Sequence, residues 1–190
     1  MKFLSILSSL ALLGATATAA PTSSAELATR GVAESIVNAT ALGVDVYGQI
    51  PGDAVRKAPG YFTAEPGTHT WAWIRAQMDI DWNAIPVDKR DELEKNQTFA
   101  NIGIGMFAQD WCNGVAVFFD NVRYNVQHFT ATNMFSVVIS HRGLRNNEQL
   151  DFSRRSGNDF CGMYLYTAAQ NTPVGCFNSQ LINCFRLWLR

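Results

Sequence analysis

Three side chains near the middle of the second half have the types needed for acid–base chemistry. His141 and Glu148 lie seven positions apart across a polar stretch, and Arg142 and Arg145 stand between them. A histidine and a carboxylate can share proton transfer in phosphodiester or glycosidic cleavage. An arginine beside them can stabilise the anionic transition state. His141, Glu148 and Arg142 are therefore the catalytic candidates. His128 is a lesser one, because alternation puts it with Val122, Tyr124 and Val126 on one apolar strand face, the setting of a core histidine.

Other constellations compete. Asp79 and Asp81 alternate onto one strand face, a pair able to hold a metal or act on a sugar, although such pairs are usually solvated. Trp71, Trp73 and Trp82 form an aromatic cluster that would suit a wall polysaccharide, against the commoner fate of core packing. Arg142, Arg145, Arg154 and Arg155 fall in two polar stretches that would make a basic patch or simply solvated loops. Trp111 precedes Cys112 and reads as a ring packed on a disulfide. No phosphate loop, zinc-protease, nucleophile-elbow or EF-hand pattern occurs. The three histidines are scattered and no C-x-x-C exists, so no metal or other cofactor is expected.

The four cysteines, Cys112, Cys161, Cys176 and Cys184, suggest a structural role. Two disulfides are expected, with three connectivities open. The pairing favoured by proximity is Cys112–Cys161 with Cys176–Cys184. Net charge is −1, so no basic excess favours nucleic acid.

The elements that must position these residues are mainly strands. Met134–His141 is β-branched and apolar; Phe99–Phe107, Val115–Phe119, Val122–Phe129, Leu150–Phe152, Phe160–Thr167 and Leu181–Leu189 read as further strands. Asp120-Asn121 reads as a two-residue hairpin turn and Thr130–Asn133 as another turn. Gly143–Gln149 and Ser153–Asp159 read as polar loops. In the first half, Gly31–Leu42 has helical spacing, Gly43–Ile50 reads as a strand and 51–69 as a loop rich in Pro and Gly. Residues 71–82 fit either a helix or a strand. The fold expected is an antiparallel β-sandwich or barrel of about seven strands, with one or two short helices in the N-terminal half.

The first residues, MKFLSILSSLALLGATATAA, have a charged start, an apolar run and small residues at the end, the organisation of a secretory signal peptide cut after Ala19. That address implies an oxidising, extracellular setting and gives meaning to other signals. Asn38 and Asn96 begin N-x-T sequons for glycosylation. Lys89-Arg90 offers a dibasic processing site, against the alternative of a surface helix. No later stretch is long and apolar enough to span a membrane. The chain then divides into a leader at 1–19, a cysteine-free segment at 20–90 that reads as a candidate pro-region, and a disulfide-bonded β-domain at 91–190.

This layout of leader, dibasic site and late cysteines resembles that of small secreted proteins of filamentous fungi, including effector-type proteins of plant-associated species. The resemblance implies a secreted protein without enzymatic activity that binds a host or cell-surface protein or glycan. It assigns no site residue beyond the processing step at Lys89 and Arg90. A small secreted hydrolase, of ribonuclease or glycosidase type, and a wall-polysaccharide-binding module are the alternatives.

Overall fold

The computed structural model describes residues 32–80 and 99–190. Two helices come first, α1 (Glu34–Ala41) and α2 (His69–Ala76). Between them lies a short hairpin of β1 (Val55–Ala58) and β2 (Tyr61–Ala64). Six longer strands follow: β3 (Gly103–Gln109), β4 (Asn113–Phe119), β5 (Gln127–Ser140), β6 (Glu148–Ser156), β7 (Asp159–Ala168) and β8 (Gly175–Leu189). All pair antiparallel in one sheet of order β1-β2-β4-β3-β5-β8-β6-β7. The sheet is open, with β1 and β7 as its edges.

The sheet curls on itself. Phe119 of β4 and Phe185 of β8 are three strand spacings apart in sheet order, about 14 Å on a flat sheet. Their rings nevertheless meet edge to face at 5.1 Å. The concave side gathers one core from Ile104, Met106, Val117, Val137, Ile139, Phe152 and Phe185. The convex side of β3, β4 and β5 carries a second core, closed by the helices. Ile74 and Trp73 of α2 and Ala39 of α1 pack there with Phe107, Phe118 and Val138. Residues of β4 alternate between the two: Val117 and Phe119 go to the first, Ala116 and Phe118 to the second. The strands at the centre are thus apolar on both faces, and for that reason read as unbroken apolar runs.

Gly103 makes the second core possible. A Cβ there would lie 2.5 Å from Phe118 Cζ and 2.5 Å from Ser140 Oγ. The Phe118 ring occupies the space that a side chain would need. We expect Gly103→Ala to cost about 2 kcal/mol through overpacking, read as a lower urea midpoint with an unchanged slope; an unchanged midpoint would mean that the ring repacks freely.

Several expectations change. Asp120-Asn121 is not a hairpin turn, because β4 pairs with β2 and β3 and never with β5. Instead, residues 120–126 cross the open end of the concave core. Val122 is buried there and exchanges backbone hydrogen bonds with Ala100 and Ile102. Residues 130–133 do not turn but lie within β5, whose pairing with β8 is irregular between Phe129 and Ser136. Ser153–Ser156 continues β6. Residues 43–50 form turns, not a strand, and the stretch 51–69 holds β1 and β2. The segment 71–82, open to helix or strand, is helical as far as Ala76, within α2, which is started by a double cap. Thr68 Oγ1 accepts the Trp71 N–H, and the Asp53 carboxylate accepts the His69 and Thr70 N–H groups at 2.7 and 2.9 Å.

Both disulfides form, but with a different pairing from the one favoured by proximity. Cys112 joins Cys176, and Cys161 joins Cys184. The first ties the turn before β4 to the start of β8. The second bridges strands that are not neighbours, since β6 lies between β7 and β8. The tip of the β6–β7 hairpin reaches across to β8 and β5, where Phe160 stacks on Phe129 at 4.9 Å. Sequence proximity failed because this sheet brings together residues 64 and 23 positions apart. Among the described residues no helix is long and apolar enough to cross a membrane.

Candidate functional site

Glu148 opens β6, and Arg142 leaves the end of β5. The Glu148 side chain is wholly buried. Its two carboxylate oxygens receive Arg142 Nη1 and Nη2, both at 2.7 Å, in a bidentate pair. Tyr124 Oη–H and the Arg145 backbone N–H, the latter at 2.7 Å, complete its shell. Arg142 also donates to the carbonyls of Gly143 and Ala100. Burial alone would push the Glu148 carboxyl up, but the hydrogen bonds from Arg142, Tyr124 and the Arg145 amide outweigh it. They hold the carboxyl below the ordinary carboxylate range. Burial and the Glu148 contact push the Tyr124 hydroxyl up.

His141 does not share this cluster. Its ring lies in the convex core, edge to face with Trp73 at 6.4 Å and Phe118 at 6.2 Å. Burial holds it below the ordinary histidine value, so the neutral form dominates. The structure thus places His141 with Trp73 and Phe118, and Glu148 with Arg142 and Tyr124. His128 stacks on Phe185 at 5.0 Å and meets Phe119 edge-on, with burial again lowering its affinity for a proton.

The remaining candidates disperse as well. Asp79 accepts from the Ser35 hydroxyl. Trp73 is buried at 3 % exposure, so it offers no face to a ligand. Arg142 is committed to Glu148. Arg154 and Arg155 sit near the hairpin tip, where Arg155 covers the Phe160 ring at 4.9 Å and Arg154 Nε contacts Met163 Sδ. Among the described residues no group of three or more His, Cys, Asp or Glu could hold a metal ion. Asn38 is exposed on α1. Residues Ala19, Asp81, Trp82, Lys89, Arg90 and Asn96 lie outside the described residues.

The side chain that stands out is Trp111, which is mostly exposed although its place beside Cys112 suggests a packed ring. It lies in a single 3-10 turn at Asp110–Cys112 and is 68 % exposed. Its backbone is left-handed, with φ 55° and ψ 37°, and Cys112 follows with φ 54°. Two consecutive non-glycine residues in this region cost on the order of 1–3 kcal/mol each. The surroundings hold them there. The Trp111 N–H donates to Asn178 Oδ1 at 2.6 Å, and the Cys112 N–H to Ser136 Oγ at 2.9 Å. Arg75 Nη1 donates to the carbonyls of Trp111 and Cys112 and to Asn113 Oδ1 at 2.7 Å. The Arg75 guanidinium also lies over the half-buried Trp71 ring at 5.3 Å, and Trp71 Nε1 donates to the Gly114 carbonyl. The Cys112–Cys176 bond closes the turn from below. Chemically, the turn presents one large flat apolar ring on a hydrogen-bonded backbone, in a stretch that also carries amide, carboxylate and guanidinium groups.

A local signal for this existed. Trp111 stands in Gln109-Asp110-Trp111-Cys112-Asn113-Gly114, a tryptophan among turn-forming polar residues and not in an apolar run. No family model, no curated protein and no solved structure matches the chain. What the protein does therefore has to follow from its own side chains.

Proposed function

We propose that the protein is a secreted, non-catalytic binding protein that engages a host or cell-surface partner through the Trp111 turn. One observation carries this reading: an exposed indole held in a strained backbone by a disulfide and by hydrogen bonds from three other elements. Among the described residues Trp111 is the most exposed of the large apolar side chains, and it sits on the strained turn. A rigid exposed aromatic is what a binding surface needs at its energetic centre, since a preformed contact loses little entropy on binding. The leader and the two disulfides support an extracellular setting. The commitment of Glu148 to Arg142, with His141 packed among rings, speaks against the hydrolase alternative.

The test compares labelled wild-type protein with Trp111→Ala on isolated plant cell walls and protoplasts. Wild type is retained and the variant falls by about tenfold or more, with both proteins melting alike. Equal retention would remove the turn from the binding surface. Hydrolysis of RNA or polysaccharide that drops with His141→Ala or Glu148→Gln would replace the reading with an enzymatic one.

A further inference from the structure

The chemistry around Trp111 narrows the class of partner, on the condition that the turn is the binding surface proposed above. Protein partners that grip a tryptophan use a dry apolar pocket and a surrounding ring of contacts that excludes water. The neighbours of Trp111 are instead polar: Asp110 and Asn113 on either side of its own turn, Asn178 across from it, and Arg75 beneath. Asn178 and Asn113 each use Oδ1 internally, on the Trp111 N–H and on Arg75. Their Nδ2 groups remain as donors at exposed positions, and the Asp110 carboxylate is an exposed acceptor. An exposed flat ring on a turn that also carries exposed donors and an acceptor is complementary to a molecule with one apolar face and a rim of hydroxyls.

We propose that the Trp111 turn is a sugar-binding site, with one pyranose of a neutral cell-wall polysaccharide stacked by its C–H face on the indole. Aromatic faces attract the slightly positive C–H edge of such rings, and the amide donors fix its orientation. Charge argues for a neutral glycan over an acidic one. The Arg75 cation is turned inward to three acceptors, and Asp110 would repel a uronate at the rim. It argues likewise against a stacked nucleobase, because single-stranded nucleic acid requires a basic track along its backbone. The half-buried Trp71 ring and the Trp111 backbone are joined through Arg75. The backbone that carries the indole is thereby held before ligand arrives, which lowers the entropy cost of a weak single-ring contact.

The test is a pull-down of wild type, Trp111→Ala and Trp111→Phe on insoluble β-1,3-glucan, cellulose, chitin, xylan and mannan. Isolated walls, with and without prior protease treatment, run alongside. At least one polymer retains wild type, Trp111→Phe holds it more weakly, and Trp111→Ala loses about tenfold or more. A short soluble oligosaccharide of that polymer shifts the tryptophan emission of wild type but not of Trp111→Phe. This readout does not depend on the alanine variant folding. If no polymer retains the protein while walls still do so through Trp111, and protease treatment abolishes that retention, the partner is a protein; the sugar site is then overturned and the binding reading stands. If walls retain Trp111→Ala as well as wild type, both fail.

Discussion

A protein beginning at Asp91, without the segment before it, does not fold as a stable monomer. The reason lies on the convex side of the sheet. Residues 32–80 supply α1, α2, β1 and β2, and with them Ala39, Ala64, Ala72, Trp73, Ile74 and Ala76 of the second core. Without them Phe107, Phe118 and Val138 face water, and β4 becomes a bare edge whose backbone groups had paired with β2. Losing the contacts of Trp73 and Ile74 alone forfeits about 5 kcal/mol, against a total stability of about 5–15 kcal/mol for a domain. We therefore expect Asp91–Arg190 to aggregate or to bind a hydrophobic dye. Supplying residues 20–90 as a separate chain restores a soluble complex. A sharp, cooperative melt of the isolated fragment would overturn the expectation. The same geometry bears on the dibasic site at Lys89-Arg90. Both disulfides lie between residues 112 and 184, so neither links the two sides of that cut. Cleavage there would leave two chains joined by sheet pairing, core contacts and the hydrogen bonds of Trp71 and Arg75 to residues 111–114, with no disulfide between them. They would co-elute in native buffer and separate in denaturant without reductant.

The second large effect concerns the buried ion pair. Replacing Arg142 by Met leaves the Glu148 carboxylate in the interior without its bidentate partner. Breaking a buried pair in this way costs about 3–5 kcal/mol, because one charge remains uncompensated. The pH dependence gives the cause a signature. In the wild type Glu148 is held below the ordinary carboxylate range. It therefore adds stability above the unfolded carboxyl pKa, and that stability disappears as pH falls through the lower folded value. In Arg142→Met the bidentate bonds and the charge of Arg142 are gone, those from Tyr124 and the Arg145 amide remain, and burial weighs more, so the Glu148 pKa rises above its wild-type value. Protonation then relieves the variant, and its deficit shrinks between pH 7 and about pH 4. Urea midpoints at both pH values measure this. A deficit that is unchanged across the range would mean that Glu148 is not the strained group. The double variant Arg142→Met with Glu148→Leu, which removes both charges, is expected to recover most of the loss.

Much of the fold could be read from period and residue type. Met134–His141, Phe160–Thr167 and Leu181–Leu189 stand within or almost within observed strands, because a β-branched or aromatic run buried in a sheet leaves a strong local mark. The hairpin at Asp120-Asn121 failed for a tertiary reason. Val122 and Tyr124 alternate as a strand would, but they do so to cap the concave core, not to pair with β4. The β1–β2 hairpin was hidden by its prolines and glycines, although Tyr61 stacks on Phe119 at 4.6 Å in register with β4. At the site, types were legible and partners were not. His141, Arg142 and Glu148 are close in sequence, yet His141 and Arg142 lie just past the end of β5, where His141 takes a left-handed bend with φ 69° that no local pattern announces. His141 thus entered one core while Arg142 and Glu148 closed against the other. Trp111 was misread because its place beside Cys112 was weighed above the turn-forming polar residues on either side, which mark an exposed turn.

The double-sided burial of β3, β4 and β5 also bears on the order in which the chain is made. Segments such as Gly103–Gln109 and Asn113–Phe119 combine high β-propensity with little charge, and are hazardous while unpaired. The helices and hairpin that shield their convex side lie upstream and leave the ribosome ahead of them. The shield is in place before the sticky strands appear. A circular permutant that moved residues 32–80 to the C-terminus would keep the native contacts and reverse that order, and its soluble yield on expression would fall although its final stability would not.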